Sequence, residues 1–141
     1  MTEEKLKQIG KKTKAVGLNK AISTKDAIEI SRFLRCRRLE QAKRLLENVI
    51  LKKVAVPMRS FNKDTGHRPG IGPGRYPLKA AKEFLYLINS AEANARFKGL
   101  DLGKLHVTII VNQGSRNFKS GRQRRRTSKS THLEVILEER K

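Results

Sequence analysis

The chain has 141 residues, with 33 Lys and Arg against 13 Asp and Glu, for a formal net charge of +20. At this length one domain with one core is expected, burying roughly 70% of the surface that the unfolded chain exposes. Hydrophobic residues make up 37% and aromatics 5%, so much of the chain must face solvent or a partner, and that partner must be anionic: nucleic acid, an acidic membrane or an acidic protein.

Residues 1–14 are polar and Lys-rich and are expected to be loose until bound. They lack the apolar stretch of a signal peptide, and no apolar run in the chain approaches the ~20 residues of a membrane span. A soluble, intracellular protein is expected. "AVGLNKAI" predicts a short strand with Val16 and Leu18 on one face. "STKD", residues 23–26, has the form of a capping box, in which Ser23 accepts from the amide of Asp26. Ala27, Ile30 and Leu34 then recur at helical spacing, predicting a first helix to about Arg35. Asp26 and Glu29 near its start favour the helix dipole. Leu39, Ala42, Leu46, Val49 and Ile50 repeat the stripe in a second helix ending near Lys53.

Residues 57–76, "PMRSFNKDTGHRPGIGPGRY", read as one long Gly- and Pro-rich loop carrying Arg59, Lys63, Arg68 and Arg75. Pro77 suits the first turn of a third helix. Leu78, Ala81, Leu85, Ile88 and Ala95 form its apolar stripe, with Phe84 alongside and Gly99 as the C-terminal cap. Beyond it the period drops to two. Leu105, Val107, Ile109 and Val111 alternate, as do Leu133, Val135 and Leu137, predicting an antiparallel pair. Between these strands lie residues 112–131, with seven basic residues and no acid. That segment is either a floppy loop or an extended hairpin arm.

Catalytic and metal chemistry find no foothold. "GIGPGRYP" has alternate glycines, but no strand precedes it, no Lys-Ser/Thr follows, and Pro73 lacks the N–H a phosphate cradle uses. It reads instead as a rigid turn delivering Arg75 and Tyr76 to the third helix. His67, His106 and His132 are scattered, and with one cysteine they give no ligand spacing; His106 and His132 are expected to face each other across the strand pair. Cys36, among arginines, reads as an ordinary structural cysteine. No catalytic residue, no metal, no cofactor and no small-molecule substrate are expected.

The basic residues carry the function. Arg32, Arg35, Arg37 and Arg38 gather at the end of the first helix, more than dipole pairing needs. In the 112–131 segment Arg outnumbers Lys five to two, and Arg makes planar, bidentate phosphate contacts and stacks on bases. A membrane would need an apolar anchor beside the charge, and none is present. DNA binding stays open, but the first two helices lack a convincing recognition helix at the usual tight turn.

"NKAISTKDAIEISRFLRCRRLEQAKRLLENVI", "AVPMRSFNKDTGHRPGIGPGRYPLKAAKEFLYLINSAEANARFKGLD" and "THLEVILEER" together resemble the universal large-subunit ribosomal protein family called L-twenty-two in bacteria and L-seventeen in eukaryotes. The long 57–76 connection is similar to the archaeal and eukaryotic branch, and "GIGPGRYP" to the archaeal one. The resemblance implies an α+β fold, with three helices packed on a small antiparallel sheet and one long protruding β-hairpin. It implies a single domain over residues 15–141, with the hairpin at about 104–139 and its tip at about 115–129. It further implies binding to large-subunit rRNA, a part in assembly, contact with neighbouring large-subunit proteins, and a hairpin tip that meets the nascent peptide in the exit tunnel. The location implied is cytoplasmic.

The residues expected to touch rRNA are Lys25, Arg32, Arg35, Arg37, Arg38, Arg59, Lys63, Arg68, Arg75, Lys79, Arg116, Lys119, Arg122, Arg124, Arg125, Arg126 and Lys129. The tunnel-facing tip implied by the resemblance is Phe118, Lys119, Ser120, Gly121 and Arg122. That tip is a few residues shorter than the family's and lacks its Pro-Arg-Ala. Two other readings share the charge: a nucleic-acid chaperone working outside any ribosome, and a module docking on an acidic protein.

Overall fold

The computed structural model describes residues 12–115, 117–119, 121–123 and 126–139. Strand β1 (Lys12–Lys20) leads into helices α1 (Thr24–Leu34) and α2 (Leu39–Ile50). Three short strands follow: β2 (Val56–Pro57), β3 (His67–Arg68) and β4 (Gly72–Arg75). Helix α3 (Leu78–Phe97) and a 3-10 turn (Leu102–Lys104) precede β5 (Leu105–Gln113). After β6 (Asn117–Phe118) and β7 (Thr127–Ser128), the chain returns as β8 (Thr131–Glu139). The main sheet is antiparallel in the order β1-β8-β5, and the fold is α+β as expected.

The alternation of β5 and β8 sets the core. Leu105, Val107, Leu133, Val135 and Leu137 are buried, and they meet Leu34, Leu46, Phe84 and Ile88 from the three helices in one cluster. Phe84 is fully buried, and truncating such a side chain to Ala costs about 3–5 kcal/mol.

β1 is present with Val16 and Leu18 on one face, as expected, and that face turns outward. Val16 is 50% and Leu18 66% exposed, while Thr13, Ala15 and Gly17 turn inward. The cause is α3. A Cβ on residue 17 would lie 2.9 Å from Leu87 Cδ1, so only small inward residues let the helix come this close. The strand also starts earlier than expected. Lys12, Thr13 and Lys14 pair with Glu138, Leu137 and Ile136 rather than belonging to a loose segment; residues 1–11 lie outside the described residues.

Ser23 caps α1, accepting from the Asp26 amide at 3.4 Å. In α3 the buried stripe is Ala80, Ala81, Phe84, Leu87, Ile88, Ala91 and Ala95, with Leu78 and Leu85 only half-buried. Phe84 is therefore at the centre, not at the side. A helix wedged between α2 and β1 buries a wide face, and its alanines let both neighbours approach. Gly99, at φ +68°, supplies the left-handed residue that ends it.

The 57–76 connection is not a bare loop. Its strands form a second sheet in the order β2-β4-β3, pairing Val56 with Arg75 and Arg68 with Gly72. A turn closes it: the Ile71 amide donates to the Arg68 carbonyl at 3.1 Å, and Gly70 has φ +72°. Gly74 is buried against Ala55, where a Cβ would come within 3.2 Å of the Ala55 Cβ.

Both edges of the main sheet are partly occupied. On β1, Asn94 Nδ2 of α3 donates to the Lys14 carbonyl and Lys98 Nζ, at the C-terminal cap of α3, to the Lys12 carbonyl. On β5, the Val107 amide donates to the Arg37 carbonyl at 2.9 Å, and Arg38 bridges His106.

Candidate nucleic-acid interface

The arginines at the end of α1 sit on a backbone fixed to the sheet. Arg35 caps the helix, Cys36 turns the chain with φ +60°, and Arg37 and Arg38 are held to β5 by the contacts just given. Their side chains stay exposed. Cys36 is exposed too, at a turn, and not the buried packing residue that a structural cysteine usually is.

Arg59 reaches the same place from the other side. The segment that carries it is clasped by Glu29, which is 1% exposed. The Glu29 carboxylate accepts from the amides of Arg59 (3.2 Å), Ser60 (2.8 Å) and Phe61 (2.9 Å). Burial pushes the carboxyl upward, but the Phe61, Ser60 and Arg59 amides and the nearby Arg32 guanidinium outweigh it, so it is held below the usual 4.5. Arg32 also donates to the Ser60 hydroxyl. Glu29 therefore serves as an anchor for the 59–61 turn and not as a surface partner of the helix dipole. Together these elements enclose a cleft of about 570 Å3 that brings Arg32, Arg35, Arg37 and Arg59 together.

Other expected residues fall into smaller groups. Lys25 stands over the Phe61 ring at 5.9 Å, and both share a hollow with Lys129 at the start of α1. Lys79 meets Lys129 across another hollow beside Pro77. Arg68 and Arg75 lie on the small sheet, Arg68 stacked over Tyr76 at 5.3 Å. Lys63 is exposed in the turn between β2 and β3 and joins none of these hollows.

The basic segment after β5 continues the pairing. Val107 faces Leu137, Val111 faces Leu133 and Gln113 faces Thr131. Beyond them the Gly114 amide donates to the Ser130 carbonyl, Asn117 pairs with Ser128, Phe118 pairs with Thr127, and the Lys119 amide donates to the Arg126 carbonyl. Among the described residues of this segment, pairing thus reaches Lys119 and Arg126. Between Gln113 and Asn117 the register moves by one residue, three against two, as in a β-bulge that bends a strand. Phe118, Lys119, Gly121, Arg122, Arg126 and Lys129 are exposed. Gly121 has φ +75° and begins a 3-10 turn. Arg116, Ser120, Arg124 and Arg125 lie outside the described residues.

The neck of this arm is clamped. The Ser130 hydroxyl donates to Asn19 Oδ1 at 3.1 Å, and the Asn19 amide donates to His132 Nδ1 at 3.1 Å. Thr131, fully buried, donates to the Ile22 carbonyl and meets the Thr24 hydroxyl. At Gly114 a Cβ would fall 2.2 Å from Ser130 Oγ, so a side chain does not fit. The expected His106–His132 pair is not formed: His106 stands opposite Glu138 and His132 opposite Asn112. The ring of His132 is used in the clamp instead.

Charge is segregated. Ion pairs seen among the described residues take their cations from Lys12, Lys14, Lys20, Lys43, Arg96 and Lys104. None of these belongs to the expected RNA-binding set. Lys43 and Glu92 tie α2 to α3 at 2.5 Å; the Lys43 hydrogen bond lowers the Glu92 carboxyl despite burial. Acids of β8 and α3 thus pair with cations outside that set, while in the cleft Glu29 stands near Arg32. Among the described residues no cluster of His, Cys, Asp and Glu has the makings of a metal site, and no helix is long and apolar enough to cross a membrane.

Sequence reasoning missed Glu29, Asn19, Ser130, Thr131 and His132, which position the arginines and the arm. On a helical wheel Glu29 lies away from the Ala27–Ile30–Leu34 stripe, so periodicity places it in solvent. Only Asn19 carries a local mark, its place beside Gly17 in a strand that it interrupts with φ +50°.

Residues 15–138 match the family described as Ribosomal protein L22p/L17e. The chain is similar to the large ribosomal subunit protein uL22 of Thermoplasma volcanium, at 40% identity over 124 residues, 84% of each chain. To the protein of the same name from Methanopyrus kandleri it is 43% identical over 129 residues, covering 84% of this chain and 81% of that one. A third, from Ignicoccus hospitalis, is 39% identical over 141 residues, covering 92% and 89%. The chain belongs to the ribosomal protein L22p/L17e family.

Proposed function

We propose that this protein is a structural, non-catalytic component of the large ribosomal subunit in the cytoplasm. It binds large-subunit rRNA, supports assembly beside neighbouring subunit proteins, and directs its hairpin tip to the wall of the nascent-peptide exit tunnel. The observation that carries this reading is the segregation of charge. Among the described residues, cations of the cleft and arm stand outside the ion pairs that neutralise the sheet and α3, and the arm's backbone is paired from its neck out to Lys119. Such a surface reads phosphates and shape rather than base edges.

The test is a sucrose-gradient fractionation of native extract, with the protein followed by mass spectrometry before and after a high-salt wash. Stoichiometric retention in the large subunit is expected. Recovery in light fractions, or loss at modest salt, would favour a chaperone that binds transiently. No RNA in a nuclease-free pull-down would favour an acidic protein partner.

The arm has its own test. Replacing Arg122, Arg124, Arg125 and Arg126 by Ala should weaken rRNA binding and flatten its salt dependence by about 0.7–0.9 log–log units per lost phosphate contact. An unchanged slope would remove the arm from the binding surface.

A further inference from the structure

The cleft at the end of α1 differs from an ordinary basic groove in its walls. Its volume, about 570 Å3, lies inside the ~300–1,000 Å3 of typical ligand pockets. Arginines 32, 35, 37 and 59 surround it, yet Phe33, Pro57 and Ile71 line it as well. Ile71 is 40% exposed although it is a large apolar residue. A phosphodiester backbone is polar throughout and gains nothing from such walls. A nucleobase has apolar faces and polar edges, and its phosphates sit beside it. A base inside a duplex is stacked on its neighbours and cannot enter; unpaired nucleotides of folded RNA can be splayed out and held on apolar or guanidinium planes. The cleft's one carboxylate, Glu29, has its oxygens turned to the three amides of 59–61, and four arginines outnumber it, so the site is positive.

We propose that this cleft receives one unstacked nucleotide of the bound RNA, its base against Phe33, Pro57 and Ile71 and its phosphates among Arg32, Arg35 and Arg59. The inference rests on the rRNA-binding reading above and adds a ligand class and a place to it. It predicts that affinity at this site has a part that salt does not screen, since stacking and apolar contact are not counterion release.

Cys36 gives the experiment its reporter, because it is the chain's single cysteine, is exposed, and lines the cleft. The full chain is alkylated with iodoacetamide alone, with large-subunit rRNA, with a perfect RNA duplex, and with polyglutamate, each partner at saturation by filter binding in the same samples. Large-subunit rRNA should slow alkylation at least about tenfold, and the duplex less than about twofold, since it brings phosphates but no extruded base. Equal slowing by both RNAs would mean a covered surface and overturn the proposal. So would unchanged alkylation with rRNA bound, or slowing by polyglutamate that matches rRNA. Failure of rRNA to bind at all would instead sink the ribosomal reading, and the inference with it.

A second variant reads the apolar wall. Ile71→Ser, at an exposed position, should weaken rRNA binding about tenfold with an unchanged salt slope and leave duplex binding alone. A melting curve like that of the unaltered protein checks that it folds. Unaltered rRNA affinity would overturn the proposal even if the Cys36 result agreed.

Discussion

At the cleft, Arg59 stands on a backbone bonded to a buried carboxylate, and Arg37 on one bonded to β5. At the hairpin tip, Lys119 and Arg126 stand on one rung of a ladder whose sheet, among the described residues, has only the two strands β6 and β7. In the first region the backbone beneath the cations is already fixed, so an anion bound there would cost little ordering of the chain. In the second, the pairs Asn117–Ser128 and Phe118–Thr127 hold the backbone, and no third strand joins them among the described residues. The first region is thus fixed by contacts from other elements and the second by its own two strands, with Gly114 between them.

The contrast can be broken most severely at that neck. Gly114→Ala places a Cβ 2.2 Å from Ser130 Oγ and 3.0 Å from its backbone carbon, and overpacking of this kind should cost about 3 kcal/mol. Urea denaturation measures it; a loss under ~0.5 kcal/mol would show that the neck gives way freely. Next is the clasp. Glu29→Gln removes the charge that satisfies three amides and should cost about 2 kcal/mol, read in the same way.

The clasp also has a pH signature. The Glu29 carboxyl is held below its usual 4.5 in the folded chain. Its contribution is therefore complete above that value and is lost as pH falls through the folded one. Stability should decline on acidification below about pH 4.5, and the decline should be shallower in Glu29→Gln. Equal acid slopes would remove Glu29 from the clasp.

Smallest in stability, and largest in salt dependence, is the tip. Replacing Lys119, Arg122 and Arg126 by Ala should change unfolding free energy by no more than about 0.5 kcal/mol. The log–log salt slope for rRNA should fall by about 0.7–0.9 per lost contact. A large stability loss would mean that the tip is as firmly built as the cleft.

The parts that were legible in sequence were those in which one residue type repeats at one period. β5 and β8 alternate cleanly, α2 keeps its stripe, and Ser23 marks the start of α1. In β1 the shared face of Val16 and Leu18 was legible but not its outward turn, because close packing of α3 takes Ala15 and Gly17 inside. The small sheet was hidden because strands of two to four residues built from Gly, Pro and Arg carry no alternation. Among site residues, the cations were visible as composition, but what aims them was not. Glu29 is buried by a segment 30 residues downstream, and Ser130 meets Asn19 across 111 positions. Such partners have no local pattern to betray them.

A strand at the rim of a sheet is a template on which another chain can grow. Here Asn94 and Lys98 occupy carbonyls along β1, and the Arg37–Arg38 turn lies along β5. Two molecules therefore offer each other fewer open backbone groups along these rims than bare edge strands would. Their shared positive charge keeps them apart as well.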